Sequence, residues 1–177
     1  MDIFAHALWT AAVGLSVRRR LRRPIRLRWL VFWGVFPDVF SFVIPAVVRI
    51  WWYATGVTHH LLPDANSPRH FQWVWQLYYG SHSMVIFAFV FGVVWLLSKH
   101  PMLELLGWLL HILIDIPTHQ GMFALHFLWP LSSFSVSGLR WENRWFFAMN
   151  YGALLLVYLM IWIKRRRPRT SPQAAHE

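Results

Sequence analysis

Five apolar stretches, each bounded by basic or aromatic residues, restrict how this chain can fold more than any other feature. They are Ile3–Val17, Trp29–Val48, Met84–Ser98, Met102–Ile116 and Phe146–Ile163. About 20 apolar residues in a helix cross a bilayer, and arginines that extend to the interface allow somewhat fewer. The pattern therefore predicts an all-α, polytopic transmembrane helix bundle of about five spans. We expect one bundle domain over residues 1–163 and a basic, disordered cytoplasmic tail over residues 164–177.

Basic residues cluster at alternate ends of these stretches. The chain carries 17 Lys and Arg against 7 Asp and Glu, a net charge of +10. If the stretches alternate across a bilayer, most basic residues fall on one side: seven arginines within residues 18–28, Lys99, and five residues after Ile163. Positive charge accumulates in cytoplasmic loops, so we predict an outside N-terminus and a cytoplasmic C-terminus. The charge thus indicates orientation in a lipid bilayer and no nucleic-acid partner.

Composition excludes several other classes of protein. Hydrophobic residues make up 57% of the chain and aromatic residues 18%, which no disordered basic chain would contain. The chain has no cysteine, which rules out a disulfide scaffold and the usual closed zinc sites with thiolate ligands. A single bundle is therefore the architecture that remains.

Two segments between the predicted spans are rich in Trp and Tyr. They run over Arg49–Ser83 and Pro117–Trp145. Aromatic side chains with one polar atom favour the boundary between membrane and water. We expect interfacial helices lying on the outer leaflet, and the alternative is that the two segments pack on one another as a small cap.

Five ionisable residues lie where a membrane span should be apolar. They are His6 in the first stretch, Asp38 in the second, His82 at the start of the third, and His111 and Asp115 in the fourth. A rise of 1.5 Å per helical residue places all five at ~15–25 Å from the inner loops. Ionisable residues inside spans are costly and mark functional sites more often than not. Because the five share a depth, we expect them to meet inside the bundle.

The residue types of this set predict a metal site. His111 and Asp115 are four residues apart and share one helix face, and Pro37 is expected to kink the second span beside Asp38. Imidazole and carboxylate ligands without thiolate suit a divalent metal, zinc first, with manganese and iron as alternatives. Five such ligands could hold one metal or two metals bridged by a carboxylate.

Other polar residues carry weaker predictions. His119 is a lesser candidate ligand because a proline is expected to end the helix before it. Glu104 is expected to be an interfacial charge, and Ser83 to cap the third span. His59 and His60 could join the site if their loop covered it.

Four short blocks in this order resemble a known family. They are Phe4-Ala5-His6-Ala7, Pro37-Asp38, Ser81-His82-Ser83 and His111-Ile112-Leu113-Ile114-Asp115, followed by Gly121 and Leu128-Trp129-Pro130. Together they are similar to the bacterial membrane-bound metal-dependent hydrolases, which are small inner-membrane proteins. The resemblance implies metal binding by these blocks and a hydrolytic reaction. Many relatives carry an acid at the position of Phe40 and a His-Arg pair at Leu77-Tyr78, so this chain has fewer ligands for a second metal.

Two functions follow from these observations. The first is a metal-dependent hydrolase of an ester or phosphoester, possible substrates being a phospholipid or a lipid-linked ester. Its metal ligands would be His6, Asp38, His82, His111 and Asp115, and one aspartate, Asp115 or Asp38, would accept the proton of the attacking water. The second is a non-enzymatic membrane protein whose His/Asp network binds haem between His6 and His111, relays protons or holds the bundle together. The sequence leaves the metal count and the oligomeric state open.

Overall fold

All regular secondary structure in the part of the chain that the structure describes is helical. The computed structural model describes residues 1–18, 21, 23–57 and 72–166, and no β-strand occurs among them. The α-helices are α1 (Ile3–Val17), α2 (Leu27–Asp38), α3 (Ile44–Ala54), α4 (Gln72–Ser81), α5 (Met84–Ser98), α6 (Leu106–Asp115) and α7 (Arg144–Arg166). The predicted all-α fold is confirmed.

Two helices are long and apolar enough to cross a membrane. One is the continuous helix Leu27–Ala54, which joins α2 and α3, and the other is α7. The pair α4 and α5 passes the same test only together, because the two are bent by 62° at a short break. The described residues therefore support two spans, or three if the bent pair counts as one, in place of the five predicted.

The shortfall in spans has a structural cause in α1 and α6. Helix α1 is apolar but has only 15 residues. Helix α6 has 10 residues, which corresponds to about 15 Å, or half of the hydrocarbon thickness. The predicted span Met102–Ile116 is shortened because Leu103–Leu105 forms a 3-10 turn and α6 ends at Asp115. The apolar stretches in the sequence are therefore longer than the helices that form in them.

The helix ends follow local capping chemistry. Asp2 caps α1 by accepting the N–H of Ala5 at 3.0 Å. Ser83 caps α5 by accepting the N–H groups of Val85 and Ile86, both at 3.1 Å, which confirms the predicted cap. Helix α7 continues to Arg166, beyond the predicted end of the fifth span, and residues 167–177 of the predicted tail lie outside the described residues.

Small residues allow the backbones of α1, α2 and α6 to approach one another closely where these helices cross. A Cβ atom on Gly107 of α6 would collide with the backbone of α2, with the carbonyl oxygen of Leu30 and the amide nitrogen of Gly34. A Cβ atom on Gly34 would in turn collide with the side chain of Thr10 on α1. Small residues at helix crossings are typical of helices that pack inside membranes. The three backbones therefore meet closely one helical turn away from His6, Asp38 and His111.

Helix α7 is tied to α1 by three hydrogen bonds. The indole N–H of Trp9 donates to Oδ1 of Asn150 at 2.8 Å. The hydroxyl of Tyr151 donates to Asp2 at 2.8 Å, and the hydroxyl of Tyr158 donates to the carbonyl of Leu8 at 2.9 Å. Most of the outer surface of α7 is apolar and exposed, as on a helix that faces lipid.

The two aromatic-rich segments pack on one another. Trp75 and Tyr78 of α4 contact the ring of Phe123, with centroids 5.6 and 6.2 Å apart. Tyr79 packs edge-on against His126 at 4.6 Å. This contact is the arrangement that the sequence analysis gave as the alternative, a small cap. Residues 58–71 of the first segment, including His59 and His60, lie outside the described residues.

Candidate metal centre

Four of the five predicted residues converge at the C-terminal ends of α2 and α6. Asp38, His82, His111 and Asp115 each offer one ligand atom, and these four atoms lie within 4.8 Å of one another. Asp38 ends α2, His111 and Asp115 lie on α6, and His82 lies in the bend between α4 and α5. The group could therefore hold a metal ion.

The closest distances within this group centre on His111. Its Nε2 atom lies 3.1 Å from Oδ2 of Asp115 and 3.2 Å from Nε2 of His82. Oδ1 of Asp38 is farther out, at 3.7 Å from Nε2 of His111 and 3.6 Å from Nε2 of His82. The side chain of Asp38 is 15% exposed, whereas the other three are buried. Asp38 therefore lies at the open edge of the group.

Backbone carbonyls set the protonation of both imidazoles. Nδ1 of His111 lies 2.8 Å from the carbonyl oxygen of Gly34, and Nδ1 of His82 lies 3.0 Å from that of Tyr78. A carbonyl oxygen only accepts, so these contacts favour a proton on each Nδ1. A neutral imidazole then presents a lone pair at Nε2, which is how histidines are oriented as metal ligands.

Local sequence explains why His111 reaches Gly34. Gly107 and His111 are four residues apart and share a face of α6. Because Gly107 has no side chain, the α6 backbone lies against the α2 backbone at Leu30 and Gly34. The imidazole one turn later is thereby placed within hydrogen-bonding distance of an α2 carbonyl.

The helix does not break at Pro37 but continues through a π-helical turn. Pro37 lies inside α2, and Val39–Val43 forms one turn of π-helix before α3 begins. Such turns insert an extra residue into a helix and are frequent at functional sites. Here the turn carries Ser41, which is buried and whose hydroxyl lies 2.7 Å from that of Ser81. Ser81 in turn contacts Nδ1 of His82 at 2.9 Å.

His6 lies beside the four-residue group and not within it. Its ring stacks on the ring of His111, with centroids 3.7 Å apart and planes 22° apart. Its Nε2 atom lies 2.9 Å from Oδ1 of Asp115, yet neither ring nitrogen of His6 has a partner with hydrogen-bond geometry. The structure brings His6 to the site, and its role as a ligand stays a prediction.

Asp115 uses its two carboxylate oxygens on different sides. Oδ2 faces the imidazoles of His82 and His111, at 3.7 and 3.1 Å. Oδ1 contacts the α-amino nitrogen of Met1 at 2.5 Å and Nδ1 of His119 at 3.3 Å. Among the described residues, histidines and the Met1 amine are the cationic or potentially cationic partners of the two aspartates.

The sequence analysis underestimated His119 and missed Ser41. Pro117 was expected to carry His119 away from the helix, but a turn beyond Asp115 keeps His119 buried against that carboxylate. The spacing of four residues from Asp115 was the available signal. No sequence signal marked Ser41, because its inward position depends on the π-helical turn.

The remaining polar candidates lie away from this group. The carboxylate of Glu104 accepts the backbone N–H of Arg26 at 3.2 Å, at the other end of α2. His126 packs on Tyr79 in the aromatic cap.

No family model matches the chain, and no curated protein or solved structure is significantly similar to it. The family resemblance of the four blocks therefore stays a prediction.

Proposed function

We propose that this protein is a membrane-embedded, metal-dependent hydrolase. One divalent metal, zinc first, with manganese and iron as alternatives, would be held by His82, His111 and Asp115. The observation that carries the proposal is the convergence of two Nε2 lone pairs with a buried carboxylate. Two lone pairs 3.2 Å apart repel one another, and a cation between them removes that repulsion.

The buried oxygen of Asp115 supports the same assignment. Oδ2 of Asp115 is buried and has no hydrogen-bond partner among the described residues. Its nearest neighbour is Nε2 of His111 at 3.1 Å, which in the neutral imidazole with a proton on Nδ1 presents a lone pair and no proton. Oδ1 of the same carboxylate is paired with the Met1 amine, but a buried acceptor left without a hydrogen bond, such as Oδ2, costs about 1–3 kcal/mol. A metal ligated by this oxygen would offset that cost.

Asp115 and Asp38 differ in burial, and this difference indicates different roles. A bound divalent metal would polarise a substrate oxygen and lower the pKa of bound water to about 7. Asp115 is fully buried and is surrounded by imidazoles, so it would hold the metal. Asp38 lies at the partly exposed edge, within reach of a water between the imidazoles, so it would accept the proton. Of the two aspartates between which the sequence left the base open, Asp38 is therefore the proposed one.

The proposed substrate is an ester or phosphoester of an amphiphile. A cavity of about 220 Å³ lies beside Asp115 and is lined in part by His119, Arg140 and Glu142. Thr118 and His119 line this cavity and also contact Oδ1 of Asp115, so it adjoins the side of that carboxylate opposite to the imidazoles. A guanidinium group suits phosphate or carboxylate oxygens. Exposed apolar helices around the site favour a substrate that resides in the bilayer.

The proposal includes a bacterial inner-membrane location with the N-terminus outside and the C-terminus in the cytoplasm. Two long helices support membrane insertion. The short helices α1 and α6 and the bent pair α4 and α5 would then cross only part of the bilayer, packed against the long ones. The positions of the basic clusters support the orientation.

The structure gives little support to haem binding between His6 and His111. Two axial histidines approach haem iron from opposite faces of the porphyrin. Here the two rings stack directly on each other at 3.7 Å, which leaves no space for a porphyrin between them. A proton relay or a purely structural network stays the competing function, because the groups form a continuous chain of contacts.

Metal content of the purified protein tests the proposal. We expect protein purified in detergent without chelator to contain about one transition metal per chain. His111→Ala and Asp115→Ala should lose it, because each removes a ligand. Asp38→Asn should retain the metal but hydrolyse p-nitrophenyl esters or bis(p-nitrophenyl) phosphate at least ~100-fold more slowly, as expected for loss of a general base.

His126→Ala is the matched control, since its imidazole lies in the aromatic cap and should not affect metal content. A wild-type protein that neither contains nor takes up a transition metal would reject the proposal. If the protein binds a metal but does not hydrolyse these substrates, and Asp38→Asn has no effect, only the catalytic part of the proposal is rejected.

A further inference from the structure

A second cavity lies at the opposite end of α2 from the metal centre. Its volume is about 640 Å³, and it opens where the chain before α2 meets the chain before α6. Its lining includes Arg23, Arg26, Trp29, Trp33, His100 and Glu104. Twelve residues separate Arg26 from Asp38, which is about 18 Å of helix. The cavity is therefore distinct from the His/Asp site.

The lining combines positive charge with an apolar wall. Arg23 and Arg26 are exposed, so their guanidinium groups are available at the mouth. Trp29 is 43% exposed, and Met102, at 38%, adds to the apolar lining. Tryptophan beside arginine is typical of the level of lipid headgroups.

The one acid in the lining is outnumbered by the two arginines. Oε1 of Glu104 accepts the backbone N–H of Arg26 at 3.2 Å, at the start of α2. The surrounding sequence adds more positive charge, because residues 18–28 contain seven arginines and no acidic residue. The cavity is therefore complementary to an anion.

We propose that this cavity binds the headgroup of an anionic glycerophospholipid. The phosphate would lie on Arg23 and Arg26, since guanidinium forms bidentate hydrogen bonds with phosphate oxygens. The acyl chains would leave along the apolar wall of Trp29 and Trp33. Basic pockets between helices at the cytoplasmic face bind anionic headgroups in this way. A free phosphate would use only the arginines and would leave the apolar wall exposed.

This inference rests on the membrane location in the proposed function but not on the metal or the hydrolysis. Its variants lie at the far end of α2, so metal content should stay at the wild-type value in all of them. Failure of the lipid site and failure of the metal site are thereby distinguishable.

Native mass spectrometry of delipidated protein in detergent tests the site. We expect phosphatidylglycerol to bind at least ~10-fold more tightly than phosphatidylcholine. Arg23→Gln/Arg26→Gln should weaken phosphatidylglycerol binding by about 10-fold or more, because each arginine near a headgroup contributes about one kcal/mol. Binding of phosphatidylcholine should change little.

The matched control is Arg18→Gln/Arg165→Gln. It removes the same charge from two of the basic clusters, and neither residue lines the cavity. We expect less than about a threefold change in this control. An equal loss in both double variants would show a diffuse electrostatic effect and overturn the proposal. Equal binding of the two lipids, or full displacement of phosphatidylglycerol by inorganic phosphate, would also overturn it.

A second comparison covers the case in which the double variant does not fold. If Arg23→Gln/Arg26→Gln does not give a monodisperse protein, the single variants Arg23→Gln and Arg18→Gln are compared instead. Weaker phosphatidylglycerol binding in the first than in the second supports the site, and equal binding rejects it.

Discussion

The proton positions on His82 and His111 decide what the centre can do. Both Nδ1 atoms face backbone carbonyls, so both Nε2 atoms present lone pairs toward Asp38 and Asp115. A histidine that formed the opposite tautomer would present an N–H group to the same space and would exclude a cation. The contacts behind the imidazoles therefore matter as much as the imidazoles themselves.

Ser41 is a positioning residue in this view, since it reaches His82 only through Ser81. Ser41→Ala should lower the free energy of unfolding by about 1 kcal/mol, because Ser81 loses a buried hydrogen bond. It should also weaken metal binding by about 10-fold, the lower end of the range for residues behind a ligand. Thermal unfolding and metal titration measure the two effects.

Ser16→Ala is the control for Ser41→Ala. The Ser16 hydroxyl bonds only to the carbonyl of Ala12 on its own helix, and the residue is exposed, so both quantities should stay near wild type. If Ser41→Ala lowers stability but leaves metal affinity unchanged, the serine is merely structural and the positioning role is wrong.

At the scale of helices, the site depends on small residues placed one turn from the functional side chains. Gly34 precedes Asp38 by four residues, and Gly107 precedes His111 by four. Thr10, which fills the space left by Gly34, follows His6 by four. Each helix thus carries its closest packing contact on the same face as its functional residue. Close approach of the helices brings the functional residues together.

Gly107→Ala tests this dependence. The added methyl group would collide with backbone atoms of Leu30 and Gly34, which cannot rotate away as a side chain can. We expect a loss of about 2–3 kcal/mol in stability and of most bound metal, because α6 must move away from α2. The thermal unfolding midpoint and metal content report the change.

Gly92→Ala on α5 provides the comparison, because nothing lies within 4 Å of the added methyl group. Its stability should be unchanged or slightly higher, since alanine favours helix more than glycine. Full metal content in Gly107→Ala would show that the close crossing is not needed for the site.

At the scale of the whole molecule, apolar surface surrounds a small polar interior. Large hydrophobic side chains are exposed along α3, α5 and α7, including Trp51, Leu97 and Leu155. The functional group lies inside, where α1, α2 and α6 cross. A surface of this kind would aggregate in water and is stable when lipid covers it.

Orientation in the membrane can be tested with single introduced thiols, because the chain has no cysteine. We expect Ser133→Cys, between α6 and α7, to react with a membrane-impermeant maleimide in intact bacterial cells. Arg18→Cys and Arg165→Cys should react only after lysis, because their basic neighbours hold them in the cytoplasm. Labelling of all three in intact cells, or the reverse pattern, contradicts the proposed orientation.

Much of the candidate site could be predicted from the sequence. Placing a His or Asp in an apolar membrane span costs free energy, and five such residues at one depth predicted a common site. The number of spans was overestimated, since an apolar run does not show that residues near Leu103 leave the α-helix. His119 was given low weight because Pro117 was expected to end the helix before it. The turn that keeps His119 at the site depends on contacts distant in sequence, such as the hydrogen bond from the N–H of Gly138 to the carbonyl of His119 at 2.8 Å.

The sequence by itself determined that the chain is helical and apolar outside, and which residue types lie at its polar centre. Those properties follow from local composition and spacing, which act on each segment separately. Only the tertiary structure decided that Asp38, His82, His111 and Asp115 share one space, that His6 stacks beside them, and that Asp38 lies at the edge. These outcomes depend on how closely the helices cross and on which carbonyl each imidazole meets, and both are set by contacts between segments far apart in the chain.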